Sequence, residues 1–158
     1  MRTSKRLLKF LKDSSISYEK FRHEPVRTSE EAQALRSGYT LAQGAKAIII
    51  RAKFRDGRKF FMLVLPGDKR FDSKKVKKLL KCKSFSFANK DEVLDITSGV
   101  LPGGVPPFGN LFNVPVFVDK TLGLNEKIVF NAGDRSVSVA MYYEDYVALV
   151  IPQIVDII

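Results

Sequence analysis

Hydrophobic and polar positions alternate along this chain with two periods, and the places where the period changes outline its elements. Leu7, Leu8 and Leu11 recur at helical spacing, which predicts a short amphipathic helix over 4–13. Residues 17–22 read as a strand. Thr28-Ser29-Glu30-Glu31 has the form of a capping box, with a side-chain acceptor at Thr28 and Glu31 three residues on, and predicts a helix to about Leu35, ending near Gly38. The apolar run 45–53, the Asp56-Gly57 turn signal and the apolar run 58–65 predict a hairpin. Asp72 or Ser73 caps a helix with Val76, Leu79 and Leu80 inward and Lys74, Lys75, Lys77, Lys78 and Lys81 outward. Strands are expected at 84–88, 114–118, 127–131 and 135–141, and helices at 90–97 and from about Tyr142 to Val150.

The run Gly99-Val100-Leu101-Pro102-Gly103-Gly104-Val105-Pro106-Pro107-Phe108-Gly109 fits neither helix nor central strand, because proline removes backbone donors and glycine favours turns. Short helices among mostly hairpin-linked strands predict an α+β fold around a mixed, partly closed sheet. The chain is expected to form a single domain over 1–158. No internal repeat is visible, and no Ser/Gly-rich linker divides it.

Composition narrows the chemistry. With 158 residues and 45% hydrophobic content, the chain can bury a full core. One cysteine, Cys82, excludes an intrachain disulfide, and one cysteine with one histidine exclude the usual zinc sites. A Ser-His-Asp or Cys-His arrangement could draw only on His23. No dinucleotide fingerprint, Walker motif or HExxH occurs, so no cofactor and no metal are expected. The apolar runs at 60–66 and 146–152 fall short of the ~20 residues that span a bilayer. Lys9 and Lys12 interrupt the N-terminal leucines and no cleavage-site pattern follows, so the default expectation is a cytoplasmic protein without a membrane partner.

Charge changes the picture further. Residues 1–90 hold 24 Lys/Arg and 8 Asp/Glu, a net of +16, whereas residues 91–158 hold 3 and 9, a net of −6. A basic face supplied by the first half suits a polyanion such as nucleic acid, and equally suits a merely solubilising surface.

Lys46 stands inside the apolar stretch 45–50, on the face of Ile48 and Ile50. A lysine there either meets an anion or snorkels to water. The 99–109 loop offers backbone N–H groups on a stiff frame, as an oxyanion site requires, with Phe108 as an apolar anchor. The alternative is a structural turn. Asn131-Ala132-Gly133-Asp134 leaves room for a ligand at a strand end, or is an ordinary turn. His23, near Arg22 and Arg27, can orient a sugar or phosphate, or serve structure alone.

In order along the chain stand His23 before Thr28-Ser29-Glu30-Glu31-Ala32, Gln43-Gly44-Ala45-Lys46-Ala47, Pro66-Gly67-Asp68, Gly99-Val100-Leu101-Pro102-Gly103 with Pro107-Phe108-Gly109, and Asn131-Ala132-Gly133. Together they resemble the editing domain of prolyl-tRNA synthetase and its free-standing YbaK-like relatives. The resemblance implies a mainly antiparallel, barrel-like sheet with short flanking helices, and hydrolysis of mischarged aminoacyl-tRNA, with tRNA-Pro carrying a small amino acid as the expected substrate. It implies that Lys46 is needed for deacylation and helps position the charged 3′ end, and that Gly99, Pro102 and Gly103 line the aminoacyl pocket.

On this reading Lys46 and Gly103 are the catalytic positions. Lys46 holds the terminal phosphate or ribose, and N–H groups around Gly103 meet the carbonyl oxygen. His23, Gly99, Pro102, Gly104, Asn131, Ala132, Gly133 and Asp134 bind the substrate. The expected partner is tRNA, with an aminoacyl-tRNA synthetase as a further candidate. Some alanine-editing members carry a histidine near the strand after the last motif; this chain has Asp134, Arg135, Ser136 and Ser138 there, so the amino acid stays open. A non-catalytic RNA-binding module is the main alternative, and a small-molecule or protein-binding domain the third.

Overall fold

In a computed structural model, which describes residues 2–25 and 38–158, two sheets enclose the main core. Helix α1 (Thr3–Asp13) buries Leu7 and Leu11, as their spacing predicts. The smaller sheet has the order β1-β7-β6, from strands Tyr18–Arg22, Val137–Tyr142 and Lys127–Asp134, all antiparallel. The larger has the order β4-β2-β3-β5-β8, from Ser84–Phe87, Ala45–Phe54, Gly57–Pro66, Val116–Asp119 and Gln153–Val155. Its β2–β3 hairpin pairs without a break from Ala45↔Pro66 to Phe54↔Gly57. The β3–β5 and β5–β8 pairs are parallel. The helix predicted at 28–35 lies outside the described residues.

An isolated bridge between Gly44, just before β2, and Val129 of β6 joins the two sheets. Gly67 N–H donates to the Gly44 carbonyl at 2.7 Å, so the Pro66-Gly67-Asp68 turn is fastened beside that seam.

Each face of β2 serves a different core. Ala45 and Ile49 join the main core with Phe108, Ile128, Phe130 and Val139. Ile50 joins a second core with Leu63, Leu65, Val76, Phe117 and Ile157, against which Ile48 packs. Helix α2 (Ser73–Leu80) covers that second core. Asp72 caps it by accepting from the backbone N–H of Lys74 and Lys75. Helix α3 (Lys90–Thr97) lies on the other side of the sheet, where Val93 enters the main core and Glu92 takes Arg51 through both carboxylate oxygens at 2.9 Å. Helix α4 (Tyr143–Val150) buries Tyr146, whose hydroxyl donates to the Pro107 carbonyl at 2.6 Å. No described helix is long and apolar enough to cross a membrane.

Candidate active site

Strand β6 positions the centre of the site. Phe130 and Ala132 turn into the main core, so alternation puts Asn131 on the opposite face. Across the hairpin Asn131 pairs with Ser138, and the register slips between Asn131 and Asp134. Gly133, with φ of +92°, carries that irregularity. A β-carbon there would lie 2.9 Å from the backbone nitrogen of Ser4, so α1 could not start where it does.

Asn131 ties the Gly/Pro loop to the sheet. Its Nδ2 donates to the Gly103 carbonyl at 2.5 Å. Gly133 N–H donates to the Gly104 carbonyl at 2.8 Å, and the Arg135 guanidinium donates to the Pro102 carbonyl. Below these bonds Phe108 is fully buried, with its ring edge-on to Tyr146 at 5.4 Å and tilted against Phe130 at 5.5 Å. The loop is therefore rigid from both ends, and Phe108 anchors it as expected. Gly99, Val100 and Gly104 each use their N–H inside the loop region, on the Leu94 carbonyl, the Thr97 hydroxyl and the Leu101 carbonyl. Gly103, exposed and at φ +92°, has its N–H outside these internal bonds.

His23 reaches the same face of β6. Its Nδ1 lies 2.8 Å from the Glu24 carbonyl, which can only accept, so Nδ1 carries a hydrogen. In the neutral ring Nε2 then accepts from the Ser138 hydroxyl, 2.7 Å away. Ser138 Oγ is also 3.4 Å from Asn131 Oδ1. His23, Ser138 and Asn131 thus stand in one polar row that ends at the Gly103 carbonyl, with the single Ser138 hydrogen going to His23 in that tautomer and Ser138 Oγ lying beside Asn131 Oδ1. Ser138 is the member the sequence did not single out as a site residue. Its signal was present, because apolar Val137 and Val139 flank it, and alternation puts Ser138, itself buried, on the face turned away from the main core.

Lys46 is placed by register. Gly44 and Val129 form the bridge in a parallel sense, and both belong to the faces turned away from the main core. Two residues further along each strand come Lys46 and Asn131, on the same side of the joined sheets. Lys46 is half-buried and shares its face with Ile48 and Ile50, as alternation predicts.

Other predicted residues lie elsewhere. Gly99, Gly104, Gly133 and Asp134 line a neighbouring cleft of about 420 Å³ together with Arg2, Ser4 and Arg135. None of Lys46, His23, Gly103 or Asn131 lines it. Hydrogen bonds from the Ser136 hydroxyl and N–H hold the Asp134 carboxyl below its ordinary range, helped by the charges of Arg2 and Arg22. Ala132 is buried in the main core and offers no wall on the side where Asn131 stands. It is corrected from a pocket residue to a packing residue, because it follows Asn131 directly and the pleat turns it away.

The arrangement can do limited but definite chemistry. It brings a histidine–serine–asparagine row to the carbonyl of Gly103 on a stiff loop, with Lys46 on the same side of the joined sheets. That set can hold an ester and stabilise charge developing on its carbonyl oxygen.

Residues 23–149 match the model of the aminoacyl-tRNA editing domain. The multifunctional Ser/Thr-tRNA deacylase ProXp-y of Escherichia coli K12 is 28% identical over 155 residues, covering 98% of this chain and 92% of that protein. The prolyl-tRNA editing protein ProX of Acetoanaerobium sticklandii is 28% identical over 141 residues, covering 85% and 82%. A crystal structure titled as a candidate trans-editing enzyme for prolyl-tRNA synthetase superposes with a TM-score of 0.81 at 21% identity, covering 99% of this chain and 97% of that one, and so shares the fold.

Proposed function

The chain belongs to the aminoacyl-tRNA editing domain family, and on that premise we propose that it is a free-standing deacylase that hydrolyses the ester of mischarged aminoacyl-tRNA. One observation carries the mechanism most: the Gly103 carbonyl is tied to Asn131, and Lys46 sits level with Asn131 on the same side of the joined sheets.

The substrate is an activated ester on a polyanion. Lys46 takes the terminal phosphate or a ribose oxygen and fixes the 3′ end. Gly103 N–H then faces the ester carbonyl oxygen. Water adds to the carbonyl carbon, negative charge gathers on that oxygen, and the donor stabilises it. Collapse breaks the bond to the ribose oxygen, which takes one proton of the attacking water and leaves as a hydroxyl; the amino acid departs as a carboxylate, and the water's other proton passes to solvent. The Ser138–His23 pair lies close enough to Asn131 to orient the water or accept its proton. No side-chain nucleophile is required.

Two relatives carry Ser/Thr-tRNA and prolyl-tRNA in their names, so tRNA-Pro bearing a small amino acid and tRNAs charged with serine or threonine are the first substrates to examine. A small pocket excludes bulky side chains by contact, while one methylene changes binding by only about 1–3 kcal/mol. A range of small amino acids is therefore expected to be accepted.

The test is a deacylation panel with radiolabelled alanine, serine, threonine and cysteine mischarged on tRNA-Pro, serine and threonine on further tRNAs, and proline on tRNA-Pro as the correctly charged control. Release above the buffer rate for at least one small amino acid is expected. Tight tRNA binding with no release from any of them would replace the enzyme with an RNA-binding module.

A further inference from the structure

The two helices flanking the larger sheet carry opposite charge. On the side of the main core, α3 presents Asp91, Glu92 and Asp95. On the other side, α2 presents Lys74, Lys75, Lys77 and Lys78 with no acid of its own, and Lys81 and Lys83 follow it. Lys75 pairs with Asp156. The ion pairs formed among the described residues include none of Lys74, Lys77, Lys78 or Lys81. Lys46 belongs by alternation to this basic side, because its face of β2 is the one that α2 covers.

An aromatic ring lies on the same side. Phe87 pairs with Ile50 across β2–β4, and directly paired residues share a face. Phe87 is 62% exposed at the edge of the sheet, although phenylalanine is among the residue types most often buried. It is tilted against Phe71, the residue just before the α2 cap, with ring centroids 5.7 Å apart. Phe71 in turn contacts Phe85. This backing fixes one side of the Phe87 ring and leaves much of it open. Along β2, Phe87 is level with a position four residues from Lys46, or about 13 Å at ~3.3 Å per residue. Unpaired nucleotides stretched along the strand can cover that distance.

We propose that the α2 side of the larger sheet is the RNA-binding face, and that Phe87 is a stacking platform for an unpaired base near the 3′ end of the tRNA. This deepens the proposed function and rests on it. Lys74, Lys77, Lys78 and Lys81 contact the phosphate backbone, Phe87 stacks a base, and the chain continues along β2 to Lys46. Aromatic stacking tolerates any base and requires that the base be unpaired. The partner is therefore an RNA with a single-stranded end beside a duplex, rather than a duplex alone.

The experiment compares two RNAs: an uncharged tRNA, and the same tRNA trimmed of its unpaired 3′ nucleotides. Binding is measured over a salt series. For Phe87→Ala, affinity for the complete tRNA should fall about 5- to 150-fold, the range seen for loss of one base–aromatic stack. The trimmed tRNA should bind Phe87→Ala and wild type alike, and Phe87→Trp should bind complete tRNA as wild type does. Lys77→Ala/Lys78→Ala should weaken both RNAs and lower the salt slope by about 0.9 for each phosphate no longer neutralised. Unchanged binding of complete tRNA by Phe87→Ala, or equal weakening of both RNAs, would overturn the platform while leaving the deacylase reading intact. Failure of wild type to bind either RNA would overturn both.

Discussion

Replacing Asn131 with alanine separates a catalytic effect from a structural one. The Nδ2 bond to the Gly103 carbonyl is a single side-chain to backbone bond at 2.5 Å. Bonds of this kind contribute about 0.5–1.5 kcal/mol net. Gly103 is exposed, so water can satisfy its carbonyl in the variant and the loss falls at the low end of that range. Wild type and variant should therefore differ by about 1–3 °C in thermal midpoint, given about 2–4 °C per kcal/mol for a domain of this size. The effect on rate should be disproportionate. If that bond aims the adjacent Gly103 N–H at the oxyanion, its removal loosens a donor whose complete loss is worth about 100- to 1,000-fold elsewhere. A fall of at least about tenfold in single-turnover deacylation is expected, beside a nearly unchanged melting curve. A variant within about twofold of wild type would show that the bond does not set the donor and would refute the reasoning.

Two further outcomes follow from the packing around the site. Tyr146→Phe leaves the Pro107 carbonyl without its partner beneath the loop, and should destabilise the protein by about 1–3 kcal/mol in denaturant melts. Glu92 has its carboxyl held below its ordinary 4.5, first by the Asn89 backbone N–H and, against the opposing effect of burial, also by Arg51 and the charge of Arg58. A lowered folded value means its stabilisation is present above the unfolded pKa and is lost as pH falls through the folded one. The gap between wild type and Glu92→Gln should therefore be constant near neutrality and close only below about pH 4.5. A gap independent of pH would contradict this.

Local elements were legible because local chemistry decides them. The Asp72 cap, the Asp56-Gly57 turn and the spacing of Leu7 and Leu11 are short-range signals, and the structure follows each of them. Strand β8 was not legible. It is three residues long, has two exposed positions and is defined only by its partner β5. Strand β5 begins at Val116 rather than Val114, because the Pro115 carbonyl accepts from Met62 at the strand entrance and proline itself has no N–H to give. The parallel pairs follow from how distant segments close the core, which periodicity does not encode.

The site divides in the same way. Lys46 was visible as a cation in an apolar strand, and its face was correctly given by alternation. The bond between Asn131 and Gly103 spans 28 residues of sequence and depends on the register of a hairpin with a bulge. Ser138 needed that register too. Ala132 was misplaced by treating Asn131-Ala132-Gly133-Asp134 as one turn, when β6 continues to Asp134 and the pleat sends neighbouring side chains to opposite faces.

The most direct trial of the central claim is the single-turnover deacylation rate of Lys46→Ala on a mischarged tRNA that wild type cleaves, with the fold checked by circular dichroism. Removing a charge-assisted hydrogen bond of about 1.5–3 kcal/mol predicts a rate lower by about 10- to 150-fold with the spectrum unchanged. A Lys46→Ala protein that releases the amino acid at the wild-type rate would contradict the account.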